Sequence, residues 1–533
     1  MKQIFSLLFF ILCLIQLSAQ NHNARFENID VQHYIFEIHL NDSTNIIEGK
    51  TTVKVKLLKQ AEKLTLDLIG KNDSTNTGMI VSNVKFKDNP VRYTHKNGQL
   101  VIDFNTLIIS GKTVELEIMY SGIPADGLII SKNKYAERTF FGDNWPDRAK
   151  HWLPTVDHPS DKATLEFLVY APEHYEVVSN GYLVSKKPLK NKMELTHWKE
   201  DIAISTKIMV IGVADFAVGN KTTYNKIPVS SWVFEQNKEK GFENYKYGTK
   251  ALEYFSDLIG PYSYEKLAHV QSKTRYGGME NATCIFYHEN TGTSNRSQER
   301  LFAHEVAHQW FGNSVTEQNW HHVWLSEGFA TYLTHIYKQH FYGEEIFRSG
   351  LLNDREKVIK YTNKKLAPVI DTTVTQYINL LNTNSYQKAS WFLHMLRENL
   401  GDEVFFKGLR KYYADFRNST ALTKDFQDVM GSVSGKDLDL FFYQWLYQPG
   451  FPKLKVEWKQ KSNKNLVLDI SQVQENYIVS FPFEIEIRLK NGDKVLQTVE
   501  IKNRKSKITI PLKEKVESVF LDPEVKLLFE EVR

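Results

Sequence analysis

Two histidines four residues apart, His304 and His308, bracket Glu305 in the segment His304-Glu305-Val306-Ala307-His308. On an α-helix positions i and i+4 lie one turn apart on the same face, so on a helix this spacing lets both imidazoles reach one ion. Neutral imidazole suits zinc, and a catalytic zinc takes three protein ligands and keeps one position for water. The five residues alone are also compatible with a helix carrying two chance histidines. A third donor shifts the balance. Eighteen residues separate His308 from Glu327, within Trp324-Leu325-Ser326-Glu327-Gly328-Phe329-Ala330. A carboxylate on a second, packed helix completes a His, His, Glu set for one zinc ion per chain, and Glu305 is placed to take a proton from the water.

Such a site needs a scaffold, and 533 residues suffice for two to four domains of about 100–200 residues each. Hydrophobic residues at 42% and charged residues at 24% are globular composition. The 67 basic and 63 acidic residues nearly cancel, and no long basic stripe is present. Nucleic acid is therefore not an expected partner. Residues 1–19 read as an export signal: Lys2, an apolar run over residues 5–17, then Ser18-Ala19-Gln20 with cleavage after Ala19. That run is shorter than the ~20 residues a spanning helix needs. The mature chain is expected to lack stable membrane insertion and to be periplasmic or extracellular. Cys13 falls inside the signal, so Cys284 is left as the single mature cysteine and no intramolecular disulfide can form. Oligomeric state is left open.

The chain reads as multidomain α+β. Tyr34, Phe36, Ile38 and Leu40 alternate with mostly polar neighbours, as do Val53, Val55 and Leu57, and Leu64, Leu66 and Leu68. A period of two predicts strands, so residues 20–215 form an N-terminal β domain. From residue 237 the period changes, with helices expected over residues 244–258, 296–311, 325–341, 385–400 and 402–416 of a mainly helical domain spanning 216–449. Gly450-Phe451-Pro452 marks the return to strands. Phe483, Ile485, Ile487 and Leu489 run into Asn491-Gly492 and a second strand from Val495, a hairpin pattern. Residues 450–533 are expected to form a small β-sandwich.

The segment His304 to Asn313, the segment 324–330 and Gly277-Gly278-Met279-Glu280-Asn281 together resemble the zinc aminopeptidase family that includes aminopeptidase N and the leukotriene hydrolases. The resemblance implies a thermolysin-like catalytic domain and peptide substrates with a free N-terminus. It implies that Glu280 binds the α-amino group, a charge-assisted contact, and that the segment Gly277, Gly278, Met279, Glu280 and Asn281 holds the peptide as an edge strand. Tyr386, in Ser385-Tyr386-Gln387-Lys388-Ala389, matches the tyrosine that stabilises the oxyanion, with Ala389 where glycine is more usual. One departure lies at Phe141-Gly142-Asp143-Asn144-Trp145-Pro146, where relatives carry Gln and then Gln or Glu. Asp143 is expected to add a second negative charge for the amine, and Trp145 to wall the first side-chain pocket. Larger members add a long helical C-terminal domain, for which residues 450–533 leave no room, so an open cleft is expected. Two other readings stay open: a hydrolase of the same fold with an epoxide as main substrate, and a non-catalytic peptide-binding protein.

Overall fold

The computed structural model describes residues 27–295, 297–462 and 465–532. The expected export signal over 1–19 and Arg296, the expected start of a helix, lie outside the described residues. The chain divides into two compact units. Among the described residues, one runs over 27–253, 262–319 and 417–420, and the other over 254–261, 320–416 and 421–532.

In the first unit the period-two pattern becomes sheet. Tyr34, Phe36 and Ile38 of the Ile29–His39 strand are fully buried, as are Val53, Val55 and Leu57 of the Ile47–Leu57 strand. The two strands pair antiparallel with Tyr34 opposite Val53, so the buried side chains share one face. Both belong to an eight-stranded sheet, in which Ile29–His39 also pairs parallel with Lys162–Pro172. Leu64 and Leu66 lie in a separate three-stranded sheet.

A five-stranded sheet in the same unit supports the site. Its spatial order is Phe216–Tyr224, Ile227–Phe234, Leu267–Ser272, Cys284–His288 and Gly278–Met279. The middle three strands are parallel, and Leu267–Ser272 is buried at every residue, the pattern of a strand covered on both faces. Cys284 is fully buried there, and burial pushes its thiol up to about 12. Gly278–Met279 forms the edge, with Gly278 opposite Tyr287 and Met279 opposite Phe286.

The helices differ from the sequence reading at their ends. The single helix expected over 244–258 is two, α1 (Lys238–Tyr245) and α2 (Tyr247–Leu258). α1 buries only Gly241 and Tyr245, so it carries no apolar stripe for a periodicity argument to find. The helix expected over 296–311 is α3 (Glu299–Ala307). After Ala307 the chain widens, as the amides of Asn313, Ser314 and Val315 donate to the carbonyls of His308, Gln309 and Trp310, five residues back. Gly312, at φ +124°, permits this turn.

The second unit contains α4 (Trp324–Tyr342), α5 (Glu344–Thr362), α6 (Ala389–Leu400), α7 (Asp402–Phe416) and α8 (Thr423–Ser434). Residues 324–337 of α4 are all buried, which marks a core helix rather than an amphipathic one. Trp324 meets Phe392 of α6 at 5.3 Å and Phe329 meets Phe426 of α8 at 5.0 Å, both edge-on. The C-terminal strands follow the sequence reading. Phe481–Leu489 and Lys494–Ile501 form the expected hairpin, with Ile487 opposite Val495 and Gly492 at φ +92° in the turn. A second sheet contains Lys453–Ser462, Asn465–Gln472 and Lys505–Pro511. Phe483 of the first sheet lies 5.4 Å from Phe529, which leads into the edge of the second.

Candidate metal centre

α3 turns two of the expected ligands onto each other. The rings of His304 and His308 stand at 89° with their Nε2 atoms 3.2 Å apart. The Nδ1 of His308 lies 3.2 Å from the carbonyl oxygen of Phe311. A carbonyl only accepts, so Nδ1 holds the proton and the Nε2 that faces His304 presents a lone pair. That is the tautomer a metal ligand needs, fixed by the helix's own terminal turn. The opposite face of α3 anchors it. Phe302 stacks on Tyr287 at 4.2 Å, and Glu299, in the first turn where the helix dipole favours an acid, pairs with Lys250 at 3.0 Å.

Two carboxylates approach the same imidazole. One ligand atom each from Glu280, Glu305 and His308 lie within 4.8 Å of one another, and all three residues are buried. Carboxylates this close lose hydration and repel, so the arrangement favours a cation or an ammonium group between them. Gly278 makes the approach possible. A Cβ built on Gly278 would collide with the Glu305 carboxylate, whereas one on Gly277 would meet only Leu301 Cδ1 at 3.7 Å. Of the two expected glycines, therefore, one is required by contact and the other is not. Met279 is buried on the edge strand, and Asn281 is fully buried with neither atom of its side-chain amide hydrogen-bonded among the described residues. A buried amide in this state can donate to and accept from a bound molecule.

Asp143, which the sequence places beside the substrate amine, has two internal partners. Arg148 Nη2 lies 2.5 Å from Oδ1, and the backbone N–H of Arg275 donates to Oδ2 at 3.3 Å. Burial pushes the Asp143 carboxyl above its ordinary value, while the Arg148 guanidinium pulls the other way. Arg275 also pairs with Asp126 at 2.6 Å. The acid thus fastens the start of the segment that leads to Glu280. Trp145 is buried. Arg148 and Arg275 were not singled out from the sequence, where the only hint is charge next to an aromatic stretch.

In the second unit Glu327 occupies the first turn of α4, buried, with its carbonyl accepting from Thr331 Oγ1 at 2.7 Å. Next to it, Gly328 lies against Ala389: an added Cβ would come within 2.6 Å of the alanine methyl. This close approach explains a small residue at 389. Tyr386 is on a π-helical turn, Asn384–Lys388, that runs straight into α6. Asn384 Nδ2 donates to the Ala367 carbonyl at 2.9 Å and Ser385 Oγ to the Leu380 carbonyl at 2.6 Å, which fixes the turn and leaves Tyr386 half-buried. Inserted π turns of this kind recur at functional sites.

Lys388 ends that turn and is buried, its Nζ donating to the Gln448 carbonyl at 3.5 Å. Burial brings its amine down from 10.5 to about 7. A lowered folded value means that, between the two, the unfolded chain binds the proton and the folded chain does not. Stability attributable to Lys388 therefore rises as pH climbs above about 7. Urea midpoints should show this rise between pH 6.5 and 9.5, and Lys388→Met should flatten it; equal pH dependence in both proteins would contradict the assignment.

Fold and site together define the class: a helix-borne histidine pair with a buried glutamate between them, beside the edge strand of a mixed sheet. The Peptidase M1 N-terminal domain model matches residues 30–208 and the Peptidase family M1 domain model matches residues 243–445, together most of the chain. The chain belongs to peptidase family M1. It is similar to the leucyl aminopeptidase of Saccharolobus solfataricus, 24% identical over 91% of this chain and 61% of that protein. It is also similar to aminopeptidase M1-C of Oryza sativa subsp. japonica, 28% identical over 58% of this chain and 37% of that one. The chain thus spans less than two thirds of the length of these curated relatives. An M1 zinc metallopeptidase from Deinococcus radiodurans shares the fold, with a TM-score of 0.68 at 22% identity over 79% of this chain and 93% of that one.

Proposed function

We propose that this chain is a zinc-dependent aminopeptidase that hydrolyses the first peptide bond of substrates with a free N-terminus. The observation that carries this reading is the convergence on one side of α3. His304 and His308 face each other at 3.2 Å, and Glu305 and Glu280 reach the same imidazole. We assign His304, His308 and Glu327 as the ligands of one zinc ion, two imidazoles and a carboxylate, the donor set of a catalytic site. Bound there, zinc supplies Lewis acidity to the scissile carbonyl and lowers the pKa of water toward ~7.

The chain's own residues do the rest. Glu305 takes a proton from the attacking water and returns it to the leaving amine. Glu280 accepts hydrogen bonds from the substrate ammonium, and the backbone of Gly277 to Asn281 pairs with the peptide as an added strand. The carboxylates of Glu280 and Glu305 come within 4.8 Å of each other, which supports a reading in which an amine held by Glu280 puts the first carbonyl beside Glu305. Tyr386 donates its phenol hydrogen to the oxyanion. The curated relatives are named aminopeptidases, which supports the same reading.

We also read residues 1–19 as an export signal that leaves a periplasmic or extracellular protein. Among the described residues no helix is long and apolar enough to cross a membrane. The functional division at 215 and 449 remains our proposal beside the two spatial units.

A panel of aminoacyl anilides, each free and N-acetylated, tests the function. Cleavage of the free forms only, abolished by chelator, is expected. Equal cleavage of acetylated forms, or no effect of chelator, would overturn it.

A further inference from the structure

The segment carrying Glu280 is fastened to the end of α3 by side-chain amides. Gln309 follows His308 directly, and Asn313 lies in the wide turn that closes the helix. Gln309 Nε2 donates to the carbonyl oxygen of Glu280 at 2.9 Å, and Asn313 Nδ2 donates to the same oxygen at 2.6 Å. Gln309 Oε1 accepts the backbone N–H of Thr283 at 3.1 Å. Both amides are buried.

Their far ends are held as firmly. The Asn313 amide donates to the His308 carbonyl at 3.0 Å, and its own carbonyl accepts from Lys162 Nζ at 3.0 Å. Thr283 stands at φ +63°, a region that β-branched residues seldom enter. Every polar group it has is bonded. Besides Gln309 on its N–H, its carbonyl accepts from Ala268 at 2.8 Å and its Oγ1 from the Gly181 amide at 2.8 Å. Backbone in such a conformation persists where the surroundings over-determine it.

We propose that Gln309 and Asn313 are positioning residues that set the distance from the amine-binding carboxylate of Glu280 to His308, and so restrict cleavage to the first bond. The proposal rests on the aminopeptidase reading above. A carbonyl held by two donors from one helix end cannot slide along the strand, and the Glu280 Cα moves with it. Amides suit this task because they are neutral, adding no charge beside Glu280 and Glu305, and because Gln309 both donates and accepts. It therefore pins two points three residues apart. If the segment were freed to shift by about 1 Å, productive alignment would fall by up to ~100-fold.

The test uses the full zinc-loaded chain with Gln309→Glu and Asn313→Leu, on a leucyl anilide, free and N-acetylated, with zinc content measured in parallel. Gln309→Glu keeps the acceptor for Thr283 but loses the donor to Glu280. Each variant is expected to keep wild-type zinc, raise KM for the free substrate and narrow the free-over-acetylated preference by about tenfold or more. Should Asn313→Leu fail to fold, the isosteric Asn313→Asp decides. An unchanged preference at full zinc content overturns the proposal. Loss of zinc and activity together with the preference intact also overturns it, because the amides would then serve only the metal helix. A wild type without any preference for the free amine overturns the aminopeptidase reading itself.

Discussion

Glu305→Gln is expected to bind zinc as the wild type does and to lose turnover by about a thousandfold. The substitution keeps the shape of the side chain and the contact with Gly278, while removing the one group next to His304 able to take a proton from water. None of the three assigned ligands is touched, so metal content should hold. Glu305 is 5% exposed, and its carboxylate lies with Glu280 and His308 inside 4.8 Å. Neutralising one of two carboxylates this close relieves their repulsion. The variant should therefore be at least as stable as the wild type, which separates a chemical loss from unfolding. Steady-state rates on an aminoacyl anilide beside a thermal melt check this; a variant within a few-fold of wild type would remove Glu305 as the base.

Gly278→Ala should be the second most damaging change, at about a hundredfold in kcat/KM. The added methyl would occupy the space of the Glu305 carboxylate. Either Glu305 rotates away from the water it must deprotonate, or the edge strand backs off and carries Glu280 with it. Its neighbour provides the control. Gly277→Ala places a methyl 3.7 Å from Leu301, an ordinary contact, and should stay within a few-fold of wild type. Rates for the two variants side by side decide the matter. Equal losses would show that the segment needs flexibility rather than space at one position.

Much of this could be read from the sequence because its signals are periodic. Alternating Tyr34, Phe36 and Ile38 need a sheet to share a face, and histidines at 304 and 308 need a helix to share an ion. The hairpin at Asn491-Gly492 was legible because the turn demands those residues. The rest depends on interactions that leave no period. α3 ends four residues early because backbone amides turn to carbonyls five residues back, which no hydrophobic pattern reports. Tyr386 sits on a π turn rather than an α-helix for the same kind of reason. Asp143 reads from the sequence as a second charge for the substrate amine, and only three dimensions add Arg148 as its partner. Gln309 and Asn313 were inside a recognised segment, yet their bonds to Glu280 cross about thirty residues of chain, as their separations of 29 and 33 show.

The central claim is that one zinc ion, held by His304, His308 and Glu327, drives hydrolysis at a free N-terminus. Its most direct measurement is a zinc titration of chelator-stripped protein, following hydrolysis of a free leucyl anilide against metal bound per chain. The account predicts activity that rises linearly to one equivalent and then levels, and a His308→Ala protein that gains neither metal nor rate. Full activity in the stripped protein, or zinc bound stoichiometrically by His308→Ala, would contradict it.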